Sequence, residues 1–179
     1  TPLQLAVMTS RLANGGRAVK PRLVRSVGEE IMDSPLAPSM GVSDAALAVA
    51  RDGMNMVSNV PGGTAYRSRL TEPGMQLAGK TGSAQVRRIS REERESGVLT
   101  NEELEWKQRE HALFVAFAPV KDPRYAVSVV VEHGSSGSRT AAPIARDIMR
   151  LVLERDPSNT LAEAPQAPAN SLVSPLQEG

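Results

Sequence analysis

The eight residues Gly74-Met75-Gln76-Leu77-Ala78-Gly79-Lys80-Thr81 fit the phosphate-loop pattern G-x-x-x-x-G-K-[ST]. In such a loop the glycines let backbone N–H groups wrap phosphates. The lysine reaches the outer phosphates and the hydroxyl binds Mg²⁺. That chemistry needs a buried strand before the loop and a helix after it. Here Arg67, Arg69, Glu72 and Pro73 precede it, which do not make a buried strand. The segment that follows, Ser83 to Ile89, has no helical apolar stripe. Val129-Val130-Val131-Glu132 imitates the strand-plus-acid partner, with Glu where Asp is usual. Nucleotide binding through Gly74–Thr81 therefore stands as the alternative reading.

The leading reading shifts the centre of the motif to Lys80-Thr81-Gly82 followed by Ser83. Lys-Thr-Gly is the third motif of serine acyl-enzymes that act on penicillins and D-alanyl peptides. The residue types suit an edge strand that lines a cleft. Lys80 supplies a fixed positive charge for an anionic substrate and for nearby acid–base groups. Thr81 and Ser83 offer hydroxyls to a substrate carboxylate. Gly82 has no side chain, so a ligand can lie close to the strand. The backbone N–H of Ser83 can then donate to a developing oxyanion.

Other chemistries find little support. The chain has 179 residues and no cysteine, which excludes disulfides, thiolate catalysis and Cys-ligated metals. Its two histidines, His111 and His133, match no H-E-x-x-H or H-x-x-E-H spacing and are expected to be structural. No metal or cofactor is implied. Lys plus Arg number 21 against 20 Asp plus Glu, so nothing points to nucleic acid or to a polybasic membrane contact. No apolar run approaches the ~20 residues of a membrane span. The chain opens with Thr1-Pro2-Leu3, without Met or a charged leader, so a processed protein or a piece of a longer one is expected.

The elements that must position Lys80–Ser83 follow from periodicity. Residues 2–14 read as a helix, with Leu5, Met8 and Leu12 at helical spacing and a stop at Asn14-Gly15-Gly16. Ala18 to Val27 reads as a strand or extended arm, at an edge because of Pro21. Residues 33–42 read as loop. Ser43 is the expected N-cap of a second helix, with Leu47, Ala50, Met54 and Val57 on one face and an end near Asn59. Residues 75–89 read as strand-like, Gln85 and Val86 included. Residues 90–110 are charged, with helical composition and little apolar face. Trp106 is expected to anchor that segment to the body.

His111 to Val120 and Arg124 to Glu132 are the clearest strands. The short turn Lys121-Asp122-Pro123 makes them an antiparallel hairpin. Their near-continuous apolar runs place both in a central, doubly covered position. A last helix starts near Thr140, with Ile144, Ile148, Leu151 and Val152 as its buried stripe. Residues 156–179 carry four prolines, three acids and no Lys or Arg, and read as a disordered acidic tail. The element order gives an α+β fold, an antiparallel sheet flanked by helices, and not a doubly wound parallel one.

The motifs also form an ordered set. Thr1-Pro2-Leu3-Gln4-Leu5-Ala6, Leu12-Ala13-Asn14-Gly15-Gly16 and Pro21 come first. Gly53-Met54, Gly63-Thr64-Ala65 and Ala78 to Val86 follow. Together they resemble the C-terminal part of the transpeptidase domain of class B penicillin-binding proteins. Arg109-Glu110-His111, Phe114 to Pro119 and Val131-Glu132-His133-Gly134 are similar to the elongation-type branch, penicillin-binding protein 2. The resemblance covers residues 1–153. It departs at Ser83, where the family usually has Thr, and at Glu110, where it has Asp. Each keeps its functional group.

The resemblance implies an incomplete fold of the serine β-lactamase/transpeptidase type. It also implies peptidoglycan D,D-transpeptidation through a serine acyl-enzyme. The implied site residues are Lys80, Thr81, Gly82 and Ser83, with Lys80, Thr81 and Ser83 binding substrate. No Ser in the chain is followed three residues later by Lys, and no Ser-x-Asn occurs. The nucleophile is therefore expected outside this chain, and the chain alone is expected to be inactive. The implied partners are peptidoglycan stem peptides, β-lactam antibiotics and elongation-machinery membrane proteins. The implied location is the periplasmic side of the bacterial inner membrane, with the anchor elsewhere. A β-lactamase or D,D-carboxypeptidase of the same fold shares the Lys-Thr-Gly logic.

Overall fold

The computed structural model describes residues 1–32 and 35–157. Helix α1 spans Pro2–Ala13. Its start is a capping box: Thr1 accepts from the Gln4 amide and the Gln4 side chain reaches back to Thr1. A short hairpin, β1 (Ser26–Val27) and β2 (Glu30–Ile31), lies in the arm that follows. Helix α2 spans Asp44–Asn59 and is capped by Ser43, as its spacing predicts. Strand β3 covers Ala78–Ala84, so Gln85 and Val86 fall outside it. The six-residue helix α3 (Arg91–Ser96) opens the charged excursion. Strands β4 (His111–Ala118) and β5 (Tyr125–Val131) form the expected hairpin, each trimmed at the turn. Helix α4 runs Ala142–Arg155.

The main sheet is antiparallel in the order β3-β4-β5, with Ala84 opposite His111 and Ala112 opposite Val131. Strand β4 is central and buried along most of its length, as its apolar run predicts. Strand β5 is not: among the described residues it is an end strand and mostly half-buried. Alternation sorts β4 onto two faces. Val115 and Phe117 face a cluster with Ala13, Met54 and Ala78, against α1 and α2. Ala112, Phe114, Ala116 and Ala118 face α4 through Ala142, Ala145, Met149 and Leu153. The result is three layers, helices on both faces of one sheet. Phe114 and Phe117 are fully buried, each stabilising by about 1.5–3 kcal/mol.

Two helical stripes differ from the sequence expectation. On α1, Met8 is half exposed while Thr9 is buried, its hydroxyl donating to the Leu5 carbonyl at 2.8 Å. On α4, Ile144, Ile148 and Leu151 are exposed, and Ala142, Ala145, Met149 and Leu153 are buried instead. The helix approaches β4 through small side chains, which allows closer contact than branched aliphatics would. Asp156, expected to open the tail, instead terminates α4 in a left-handed conformation. It accepts from the Tyr125 hydroxyl at 2.8 Å and pairs with Arg124. The rest of the expected tail, from 158 onward, lies outside the described residues.

Candidate active site

Strand β3 has β4 on one side and no strand on the other among the described residues. One edge of its backbone polar groups is therefore left unpaired by the sheet. Lys80, Thr81, Gly82 and Ser83 occupy its centre. Lys80 and Ser83 are exposed, Thr81 and Gly82 half-buried. The Lys80 ammonium donates to the Thr81 carbonyl at 2.9 Å. The Thr81 hydroxyl lies 3.2 Å from that of Thr64. Thr64 sits in the turn after α2, and Asn59 ties the end of that helix to the Leu77 carbonyl at 2.8 Å. A hydroxyl pair is thus assembled from two distant segments. Sequence reading placed Thr64 in the family-like motif Gly63-Thr64-Ala65 but gave it no chemical role. No local spacing links position 64 to position 81.

Two glycines set how closely β3 is packed. A Cβ at Gly79 would fall 2.3 Å from Phe114 Cζ and 2.8 Å from the Val115 carbonyl oxygen. A Cβ at Gly137 would fall 2.5 Å from the Leu113 oxygen, 2.6 Å from the Gly82 oxygen and 3.0 Å from the Gly82 nitrogen. Gly137 opens a single π-helical turn, Gly137–Ala141, that leads into α4. Only a residue without a side chain can lie there against the Lys-Thr-Gly strand.

The same geometry removes the phosphate-loop reading. Lys80 and Thr81 lie mid-strand, where a phosphate loop would place them at the start of a helix. Tyr66–Ser68 before them is one short 3₁₀ turn, not a buried strand. Glu132 sits just beyond β5, outside the strand.

The 90–110 excursion joins β3 to β4. Its outgoing leg is held by an ion pair between Arg87 and Glu93, both largely covered. The hydrogen bond from Arg87 holds the Glu93 carboxyl below the usual carboxylate range. Its return leg is seated on the sheet. Trp106 meets His133 with the ring planes tilted by 59°, at 4.5 Å between centroids, and His133 meets His111 edge-on at 4.8 Å. The Asn101 side chain accepts from the Glu110 amide at 2.9 Å. No group of three His, Asp or Glu side chains able to hold a metal occurs among the described residues.

Residues 1–150 match the family model described as the penicillin-binding protein transpeptidase domain. The chain belongs to that family. It is 33% identical over 160 residues to peptidoglycan D,D-transpeptidase MrdA of Haemophilus influenzae, covering 87% of this chain and 24% of that protein. The Acinetobacter baumannii MrdA is 33% identical over 165 residues, 88% of this chain and 23% of that protein. Penicillin-binding protein 2 of Pseudomonas aeruginosa, in complex with WCK 5153, superimposes with a TM-score of 0.67 at 34% identity, over 86% of this chain and 30% of that one. Penicillin-binding protein 2 of Helicobacter pylori, in complex with MreC, gives 0.67 at 30% identity, over 87% and 25%. The fold is that of the transpeptidase domains. This transpeptidase-family chain spans about a quarter of the length of the curated relatives it matches.

Proposed function

We propose that this chain forms one wall of the active site of a peptidoglycan D,D-transpeptidase of the elongation type. The observation that carries the reading is the placement of Lys80, Thr81 and Ser83 on the exposed end strand, with Thr64 adding a hydroxyl beside Thr81. Family membership supports it.

The reaction is acyl transfer at a D-Ala–D-Ala bond. A serine hydroxyl from outside this chain attacks the penultimate carbonyl carbon, forming an ester. The peptide C–N bond breaks, and the terminal D-Ala leaves with the proton. An amine from a neighbouring stem peptide then forms a new amide and returns the serine hydroxyl. Lys80 contributes positive charge to the substrate side of the strand. Thr81 and Ser83 bind the substrate carboxylate. The Ser83 N–H donates to the oxyanion, the kind of contact whose loss costs roughly 10²–10³ in rate. β-Lactams occupy the same wall; the Mycobacterium tuberculosis relative penicillin-binding protein A has been solved as an imipenem acyl-enzyme. The Helicobacter pylori relative has been solved bound to MreC, which supports partners from the elongation machinery.

Acylation of the full-length protein by a fluorescent penicillin tests this reading. Lys80→Ala should slow acylation at least tenfold, and Thr81→Val should weaken binding with little effect on folding. This chain alone should gain no mass, since it contains no Ser-x-x-Lys. Mg²⁺-dependent ATP binding that Lys80→Ala abolishes, with no penicillin uptake by the full-length protein, would refute the proposal.

A further inference from the structure

We propose that His111 and His133 are positioning residues for the Lys80–Ser83 strand, acting through the turn that presses Gly137 onto Gly82. The inference rests on the transpeptidase reading and adds a second source of order to the same wall.

The turn between β5 and α4 is unusual in its backbone. His133 and Ser135 both adopt left-handed conformations, φ 54° and 63°, which side chains rarely take. Such a turn persists when its surroundings over-determine it. Here four hydrogen bonds do so. The His133 N–H donates to His111 Nδ1 at 2.9 Å. The His133 Nδ1 lies 3.0 Å from the Arg109 carbonyl, to which it donates. The Ser135 N–H donates to the Glu110 carbonyl at 2.9 Å. The Thr140 hydroxyl donates to the Gly134 carbonyl at 2.8 Å. Since His111 Nδ1 accepts, its ring proton belongs on Nε2.

This clamp stands one residue pair from the proposed chemistry. His111 pairs with Ala84 across the sheet, and Ala112 pairs with Ser83. The turn it fixes delivers Gly137 within contact of both the nitrogen and the oxygen of Gly82. Gly82 carries Ser83, whose N–H is the proposed oxyanion donor. A shift of a few tenths of an ångström in the turn is therefore felt at the donor, and donors act only when aimed at the developing charge. Neither histidine touches the exposed edge of β3. Their role is exerted through the backbone.

The test uses the full-length protein with His111→Ala, His111→Asn and His111→Gln. Asn places its carbonyl oxygen as many bonds from Cα as Nδ1, so it can accept from the His133 N–H; Gln places it one bond too far. The acylation rate constant and the dissociation constant of the preceding penicillin complex are separated by varying the penicillin concentration. We expect Ala and Gln to lower the acylation rate constant about tenfold, with the dissociation constant within about threefold of wild type. Asn should recover most of the loss. Amide exchange supplies a second readout that needs no activity: Ala and Gln should speed exchange at 82–84 and 133–138, and Asn should not. If Ala fails to fold, Gln takes its place. Wild-type acylation in the Ala or Gln variant, or an Asn variant no better than Gln, overturns the inference. A wild-type protein that takes up no penicillin overturns the transpeptidase reading instead, while the exchange comparison still decides the clamp.

Discussion

Two glycine-to-alanine substitutions should change stability in opposite directions. At Gly79 the new methyl would stand 2.3 Å from Phe114 Cζ and 2.8 Å from a strand carbonyl. Ordinary carbon–carbon contact is about 3.5–4.0 Å, so ring and strand must separate by roughly 1 Å or more. Phe114 cannot swing aside, because it is fully buried against α4. Overpacking of this kind costs about 1–3 kcal/mol. Gly53 is an exposed position inside α2, with nothing within 4 Å of a new Cβ. Alanine there should stabilise by about 0.5–1 kcal/mol through a stiffer unfolded chain. At ~2–4 °C per kcal/mol for a domain of this size, Gly79→Ala should lower Tm by about 2–12 °C and Gly53→Ala raise it by about 1–4 °C. Thermal unfolding of the full-length protein, followed by circular dichroism and penicillin acylation together, checks both. A Gly79→Ala protein with wild-type Tm and acylation rate would refute the packing argument. A lowered Tm in Gly53→Ala would refute the claim of open space.

Further outcomes follow from other contacts. Met149→Ala removes a fully buried side chain and should cost about 2–5 kcal/mol, read as a lower denaturation midpoint with unchanged slope. Asp156→Ala should cost about 0.5–2 kcal/mol by releasing Arg124 and Tyr125, whereas Asp52→Ala, on the exposed side of α2, should be near neutral. The folded Glu93 carboxyl titrates below its unfolded value, so its pairing with Arg87 is fully present above the usual carboxylate range. It is lost as pH falls through the lowered value. Amide exchange over residues 87–99, corrected for intrinsic rates, should show more opening near pH ~3 than at pH ~7, and Glu93→Gln should flatten that difference.

What could be read from the sequence divides along physical lines. The helix cap at Ser43, the β4–β5 hairpin and the Lys80–Ser83 strand are local signals, and each lies where its spacing puts it. Errors arose where burial depends on how closely two elements approach. Ile144 and Ile148 outrank Ala142 and Ala145 in hydrophobicity, yet the alanines face the sheet because their size sets the distance between layers. Among the described residues β5 has one strand neighbour, and an apolar run does not say how many neighbours a strand has. The pairing of Thr64 with Thr81 had no local signature, since 17 residues separate them.

The seat of Trp106 on His133 has an optical consequence. Trp106 is the sole indole in this chain, and the two tyrosines do not absorb at the red edge of its band. Light absorbed there by this chain therefore samples a single joint, where the return leg of the excursion meets the end of β5. Trp106 is already 58% exposed, so unseating the leg should shift its emission wavelength little; what changes is its contact with the His133 imidazole, read as a change in emission intensity. In this chain that intensity reports the Trp106–His133 contact, separable in time from the loss of ellipticity that marks global unfolding.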